Sequence, residues 1–132
     1  MGLTIKLAAA GAVVFMVLDG VWLGLLMKNF YRDQLAPIVR LAGGSIAPNW
    51  PAAIVVYVLL GIGIALLVIP RAPTIPLAAA YGALFGLVVY GVYDFTNYST
   101  LRQWPFVLAL ADVTWGAVAS AACAAAVRMV AR

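Results

Sequence analysis

The sequence predicts an all-α, polytopic membrane protein: an antiparallel bundle of four transmembrane helices with a short interfacial segment between the first and second. Three observations carry this. Of the 132 residues 67% are apolar and 9% charged, and the mean hydropathy of +1.10 lies far above that of soluble domains. Four apolar stretches are each close to the roughly 20 residues needed to cross about 30 Å of hydrocarbon. Prolines and short polar runs fall between those stretches.

The first span is expected over 7–27, interrupted only by Asp19. Lys6 ahead of an apolar run resembles a signal peptide, but apolar character resumes after Asp19 and continues to Met27, so it reads as a retained span. Lys6 also occupies the sixth position, where a myristoylation signal carries Ser or Thr, so no lipid anchor is expected. The second span, 52–69, has no charge and is preceded by Pro48 and Pro51. Pro70, Pro73 and Pro76 fill the turn before the third, 74–97, which carries Asp94 near its end. Pro105 opens the fourth, 105–127, which carries Asp112. Together the spans make one domain, 1–132.

The connection from Lys28 to Trp50 alternates Phe30, Leu35, Ile38 and Leu41 with Lys28, Arg32 and Arg40. That pattern suits a short helix in the headgroup region; a solvated loop drawn to anionic lipid is the alternative. Gly20 and Gly24 on the first span, and Ala78, Gly82 and Gly86 on the third, form small-xxx-small rows, and the fourth is Ala-rich around Gly116 and Ser120. Such rows let backbones approach closely in lipid, within one bundle or across a homodimer seam.

Charge supplies the functional clues. Eight Lys and Arg outnumber four acids, too sparse an excess for a nucleic-acid track. Membrane lipids are the expected partners, with a homodimer or larger membrane complex as further options. His and Glu are absent and Cys123 is the single cysteine, which excludes His-ligated haem, His-containing zinc sites, histidine-based triads and an internal disulfide. No cofactor is expected beyond a divalent cation in one reading below.

Following the chain through four spans separates a terminal face, holding both ends, from a distal face. Asp19, Asp94 and Asp112 come from three helices, yet the 1.5 Å rise per residue puts all three roughly 5 to 12 Å inside the distal face. All four tryptophans, with Tyr31, Tyr57, Tyr93 and Tyr98, fall in the same half, leaving Tyr81 in the other. An aromatic belt marks both interfaces, so this one-sided excess suggests a lined cavity as well. Asp19 with Trp22, and Asp112 with Trp115, are i, i+3 pairs, and Tyr90, Asp94 and Asn97 follow at i, i+4, i+7, so each set shares a helix face. A carboxylate in mid-membrane costs roughly 2.5 to 3.5 kcal/mol on insertion scales, so the three should point into the bundle. There they are either protonated or paired with Arg32, Arg40 or Arg102 and hold the helices together, or they form a ligand, proton or cation site.

The segments LDGVWLG, FYRDQL, YDFTNYSTLRQWP and DVTWG resemble a domain-of-unknown-function family of small bacterial four-helix membrane proteins. The resemblance covers nearly the whole chain and implies four helices. It marks Asp19, Trp22, Tyr31, Arg32, Tyr93, Asp94, Asn97, Trp104, Asp112 and Trp115 as motif positions, and implies no activity. The Ala- and Gly-rich stretch from Leu41 to Ala47 departs from the pattern.

Three functions are compatible with these residues. In a small carrier or proton/cation-coupled ligand-binding protein, Asp19, Asp94 and Asp112 hold a proton or cationic solute, because three nearby carboxylates cannot all ionise cheaply in a low dielectric. Tyr93, Thr96 and Asn97 would supply neutral hydrogen bonds and Arg102 a counter-charge. In a lipid-headgroup-modifying enzyme, Asp and Asn oxygens would hold a divalent cation and the arginines grip phosphate. That reading meets one carboxylate per helix and no Ser, Cys or His nucleophile arrangement. In an accessory subunit, the small-residue rows would be docking seams. Orientation is undecided by charge: Lys6, Arg71, Arg128 and Arg132 on the terminal face balance Lys28, Arg32, Arg40 and Arg102 on the distal one. Both termini are expected on the cytoplasmic side of a bacterial inner membrane, the commoner arrangement for paired hairpins.

Overall fold

A computed structural model describes residues 1–131; Arg132, counted above on the terminal face, lies outside the described residues. The elements are α1 (Gly2–Val21), α2 (Lys28–Leu35), β1 (Leu41–Ala42), β2 (Ser45–Ile46), α3 (Trp50–Gly63), α4 (Ile75–Thr100) and α5 (Phe106–Val130). With their terminal turns, α1, α3, α4 and α5 are, among the described residues, the four helices long and apolar enough to cross a membrane. They form an antiparallel bundle in which α4 packs along α5 and α1 along α3, with α1 also against α5.

Each long helix overruns its apolar stretch, because caps rather than hydropathy end a helix. Asn49 Oδ1 accepts the Ala52 N–H (3.2 Å) at the start of α3, and Thr74 Oγ1 accepts the Leu77 N–H (3.4 Å) at the start of α4. Proline follows each cap within the first turn, where its missing N–H is no loss.

Two π-helical turns depart from regular α-helix. Ile64–Val68 extends α3 just ahead of Pro70, whose ring crowds the carbonyl four residues back and widens the turn. Trp22–Leu26 extends α1 and closes with the Met27 N–H on the Trp22 carbonyl at 2.7 Å. The chain then bends at Met27 into α2, which turns one side chain, Tyr31, into the bundle.

The connection from Lys28 to Trp50 is α2, the short interfacial helix expected there, followed by a tight antiparallel hairpin that the sequence-based expectation did not include. Leu41 pairs with Ile46 and Ala42 with Ser45. Gly43 and Gly44 turn the corner at φ +58° and +75°, the positive values a two-residue hairpin demands. The Ala/Gly-rich stretch is thus a built turn.

Packing in the terminal half rests on small residues. A Cβ on Gly82 would lie 2.5 Å from the Ser120 carbonyl and 2.6 Å from Ala124 Cβ, and Gly86 lies against Gly116 and Ser120. The row on α4 therefore sets the α4–α5 spacing. Gly20 and Gly24 have nothing within 4 Å and are exposed, so the first-span row is not a seam within the bundle. The close approach of α1 to α3 falls instead at Gly11, whose Cβ would stand 3.1 Å from Gly61 Cα. Phe15, Ile64, Val68 and Val127 fill the remaining core. Much of the outer surface is apolar, with Leu59 61% and Val92 65% exposed, as lipid contact requires.

Candidate functional site

The two Asp-x-x-Trp elements on α1 and α5 interlock. Trp115 Nε1 donates to Asp19 Oδ1 at 2.8 Å. Trp22 Nε1 donates to the Tyr31 hydroxyl at 3.0 Å, and that hydroxyl donates to Asp112 Oδ1 at 2.6 Å. Each aspartate is thus served by the other element's tryptophan, directly in one case and through Tyr31 in the other. The two indoles stack with centroids 4.4 Å apart and planes 2° from parallel, so a flat aromatic pair joins the first and last membrane helices.

Tyr31 lies in α2, outside the membrane helices. Burial, reinforced by the Asp112 charge, holds its hydroxyl above the ordinary tyrosine range. It therefore stays protonated and keeps its proton for Asp112, tying the interfacial helix to the acid layer.

Asp94 reaches the same layer from α4. It is fully buried, its neighbours include Asp112 and Trp104, and neither carboxyl oxygen has a hydrogen-bond partner among the described residues; nor does Trp104 Nε1. A buried carboxyl is satisfied by a cation or by its own proton. The arginines expected as counter-charges do not supply the cation. Arg32 pairs with Asp33 at 2.9 Å on the exposed side of α2, and no other ion pair occurs among the described residues. Arg102 is exposed; the extended backbone at Leu101 ends α4 before it and leaves the guanidinium outside the bundle.

Asp19 and Asp112 line a cavity of about 410 Å³, within the range of roughly 300 to 1,000 Å³ typical of small-ligand sites. Tyr31, Tyr90, Tyr93, Trp104 and Trp115 give it aromatic walls, and Val56 and Leu60 of α3 an apolar one. Leu35 of α2, Val39, and Ile46 of the hairpin line it as well. No Lys or Arg lines it.

Of the residues expected at the site, the structure brings Asp19, Tyr93, Asp112 and Trp115 to the cavity wall. Asp94 stands behind that wall, and Trp22 outside it, bonded to Tyr31. Asn97 is half-buried on α4 and does not line the cavity; Arg32 and Arg102 lie away from it. The sequence places Tyr31, Tyr57 and Trp104 in the distal half and Tyr90 on the helix face of Asp94, without singling them out as site residues. The place of Tyr90 one turn before Asp94, and of Tyr31 and Trp104 inside the motif segments, was the available signal. Tyr57, which approaches Asp19 from α3, was marked only by its place in the distal aromatic excess. The described residues contain no group of three or more acidic, His or Cys side chains placed to hold a metal ion.

Residues 4–129 match the model of a family described as "Predicted membrane protein (DUF2177)". The chain belongs to this family. The match reaches all four long helices and includes every residue of the interlocked layer. No curated protein and no solved structure matches it. The four apolar helices and DUF2177 membership together make this an integral membrane protein.

Proposed function

We propose that this protein is a small proton- or cation-coupled carrier that binds its solute inside the bilayer. The observation that carries the reading is the cavity beside Asp19 and Asp112, lined in part by the interfacial segment and backed by the unpartnered Asp94 carboxyl. An intramembrane acid without a basic partner is a natural place for a travelling proton or cation. Headgroup modification draws less support: Arg32 is occupied by Asp33, and neither Arg40 nor Arg102 lines the cavity.

The test is solute-driven proton movement in proteoliposomes loaded with a pH-sensitive dye, across a panel of small cations, neutral solutes and anions. At least one solute drives proton movement in the wild type, and Asp94→Asn and Asp112→Asn abolish it. Movement that persists unchanged in both variants, or a folded wild type that responds to no solute, overturns the reading. The location proposed is the bacterial inner membrane, both termini cytoplasmic and the cavity in the outer half. Single-cysteine labelling from the two sides checks this: positions 43 and 44 should be labelled from outside and position 73 from inside.

A further inference from the structure

Resting on the carrier reading, we infer that the cavity takes a small organic monocation with an apolar body, such as a protonated or quaternary amine. Its walls are aromatic and aliphatic with two carboxyl groups, Asp19 and Asp112, and no basic side chain. Each of those carboxyls accepts a protein donor at Oδ1, and neither meets a basic side chain in the cavity. An anion would meet two acids and no cation. A neutral solute would leave both acids without a counter-charge in a largely apolar cavity. A divalent metal ion needs a shell of roughly six hard oxygens, and the described acids do not converge to form one.

A weakly hydrated organic cation satisfies all of these constraints. Its charge sits near Asp19 or Asp112, its body lies against Val56 and Leu60, and Tyr90, Tyr93 and Trp104 line the same cavity, the kind of side chain whose π-system attracts a cation. Asp94, fully buried behind Asp112 and unpartnered, adds a third acidic group on the same side.

The experiment uses three probes of one shape: phenyltrimethylammonium, its neutral isostere tert-butylbenzene, and benzenesulfonate. Binding is measured by calorimetry on the whole protein in phosphatidylcholine nanodiscs, with empty discs subtracted. The cation should bind at least tenfold more tightly than the neutral isostere, with no binding of the anion. That preference should fall below threefold in Asp19→Asn and Asp112→Asn, each checked for native near-ultraviolet dichroism, and stay unchanged in the exposed control Asp33→Asn. Equal or tighter binding of the neutral probe, preference for the anion, cation binding unaltered in both variants, or no cation binding to folded wild type overturns the inference. The two readings fail separately. A neutral or anionic preference removes the monocation and leaves coupling open to the dye assay; an Asp-dependent cation preference without solute-driven proton movement removes the carrier and keeps the ligand class.

Discussion

Trp115 on the last membrane helix donates its indole N–H to Asp19 on the first, at 2.8 Å, while its ring stacks on Trp22, three residues beyond that aspartate. One side chain thus satisfies a 92%-buried carboxyl and forms half of an aromatic pair. The bond closes the bundle between its two sequence-distant ends, just where the cavity begins.

Trp115→Phe keeps an aromatic ring but removes the donor. A buried acceptor left without its donor costs about 1 to 3 kcal/mol, so Tm in detergent should fall by several degrees. Asp19→Asn retains an acceptor oxygen for the same N–H and should lose less. Equal losses in the two variants would refute the assignment of this hydrogen bond.

Tyr31→Phe removes the hydroxyl that links Trp22 to Asp112, and the expected loss is again about 1 to 3 kcal/mol. Hydrogen exchange should rise over residues 28–46 and change little in α4 and α5, since Tyr31 is the fastening of the interfacial segment.

The same residue sets a pH dependence. Because the folded protein holds the Tyr31 proton more tightly than the unfolded chain, the folded state binds more protons once pH exceeds the unfolded tyrosine value of about 10. Its contribution is complete below that pH and is lost above it. The stability advantage of wild type over Tyr31→Phe should therefore be constant through neutral pH and shrink above about pH 10, as followed by thermal unfolding at stepped pH.

Gly82→Ala drives a methyl into the Ser120 carbonyl and Ala124, and overpacking of this kind costs about 1 to 3 kcal/mol. Gly20→Ala meets open space and should be neutral or stabilising by up to about 1 kcal/mol, the intrinsic helix preference for alanine. Comparative denaturation of the two variants distinguishes a packing seam from a lipid-facing glycine.

Asp94→Asn should leave stability unchanged or raise it, because the carboxyl it replaces has no hydrogen-bond partner to lose. The same change should abolish solute-driven proton movement. A variant as stable as wild type but inactive marks a residue kept for function at a cost in stability; a drop in Tm would instead mark Asp94 as structural.

Length, hydropathy and proline placement determine four membrane helices, because a bilayer rewards apolar stretches of one length whatever their order in the chain. Helix rise and chain direction likewise bring Asp19, Asp94 and Asp112 to one depth without any knowledge of packing. The family resemblance was legible for a simpler reason: its polar motif segments stand out against an otherwise apolar background.

Rotation about each helix axis was legible only where an aspartate marked the inward face; elsewhere the helices are apolar on every side and nothing orients them. Only the tertiary structure decided that Gly82 and Gly86 form a seam while Gly20 and Gly24 face outward. It likewise turned Arg32 toward Asp33 rather than the acid layer, and paired each Asp-x-x-Trp element with the tryptophan of the other. These outcomes depend on contacts between residues as many as 96 positions apart, and local periodicity carries no information about such contacts. Depth in the membrane is a one-dimensional property that a sequence can encode directly; the site is three-dimensional and exists only once all five helices have met.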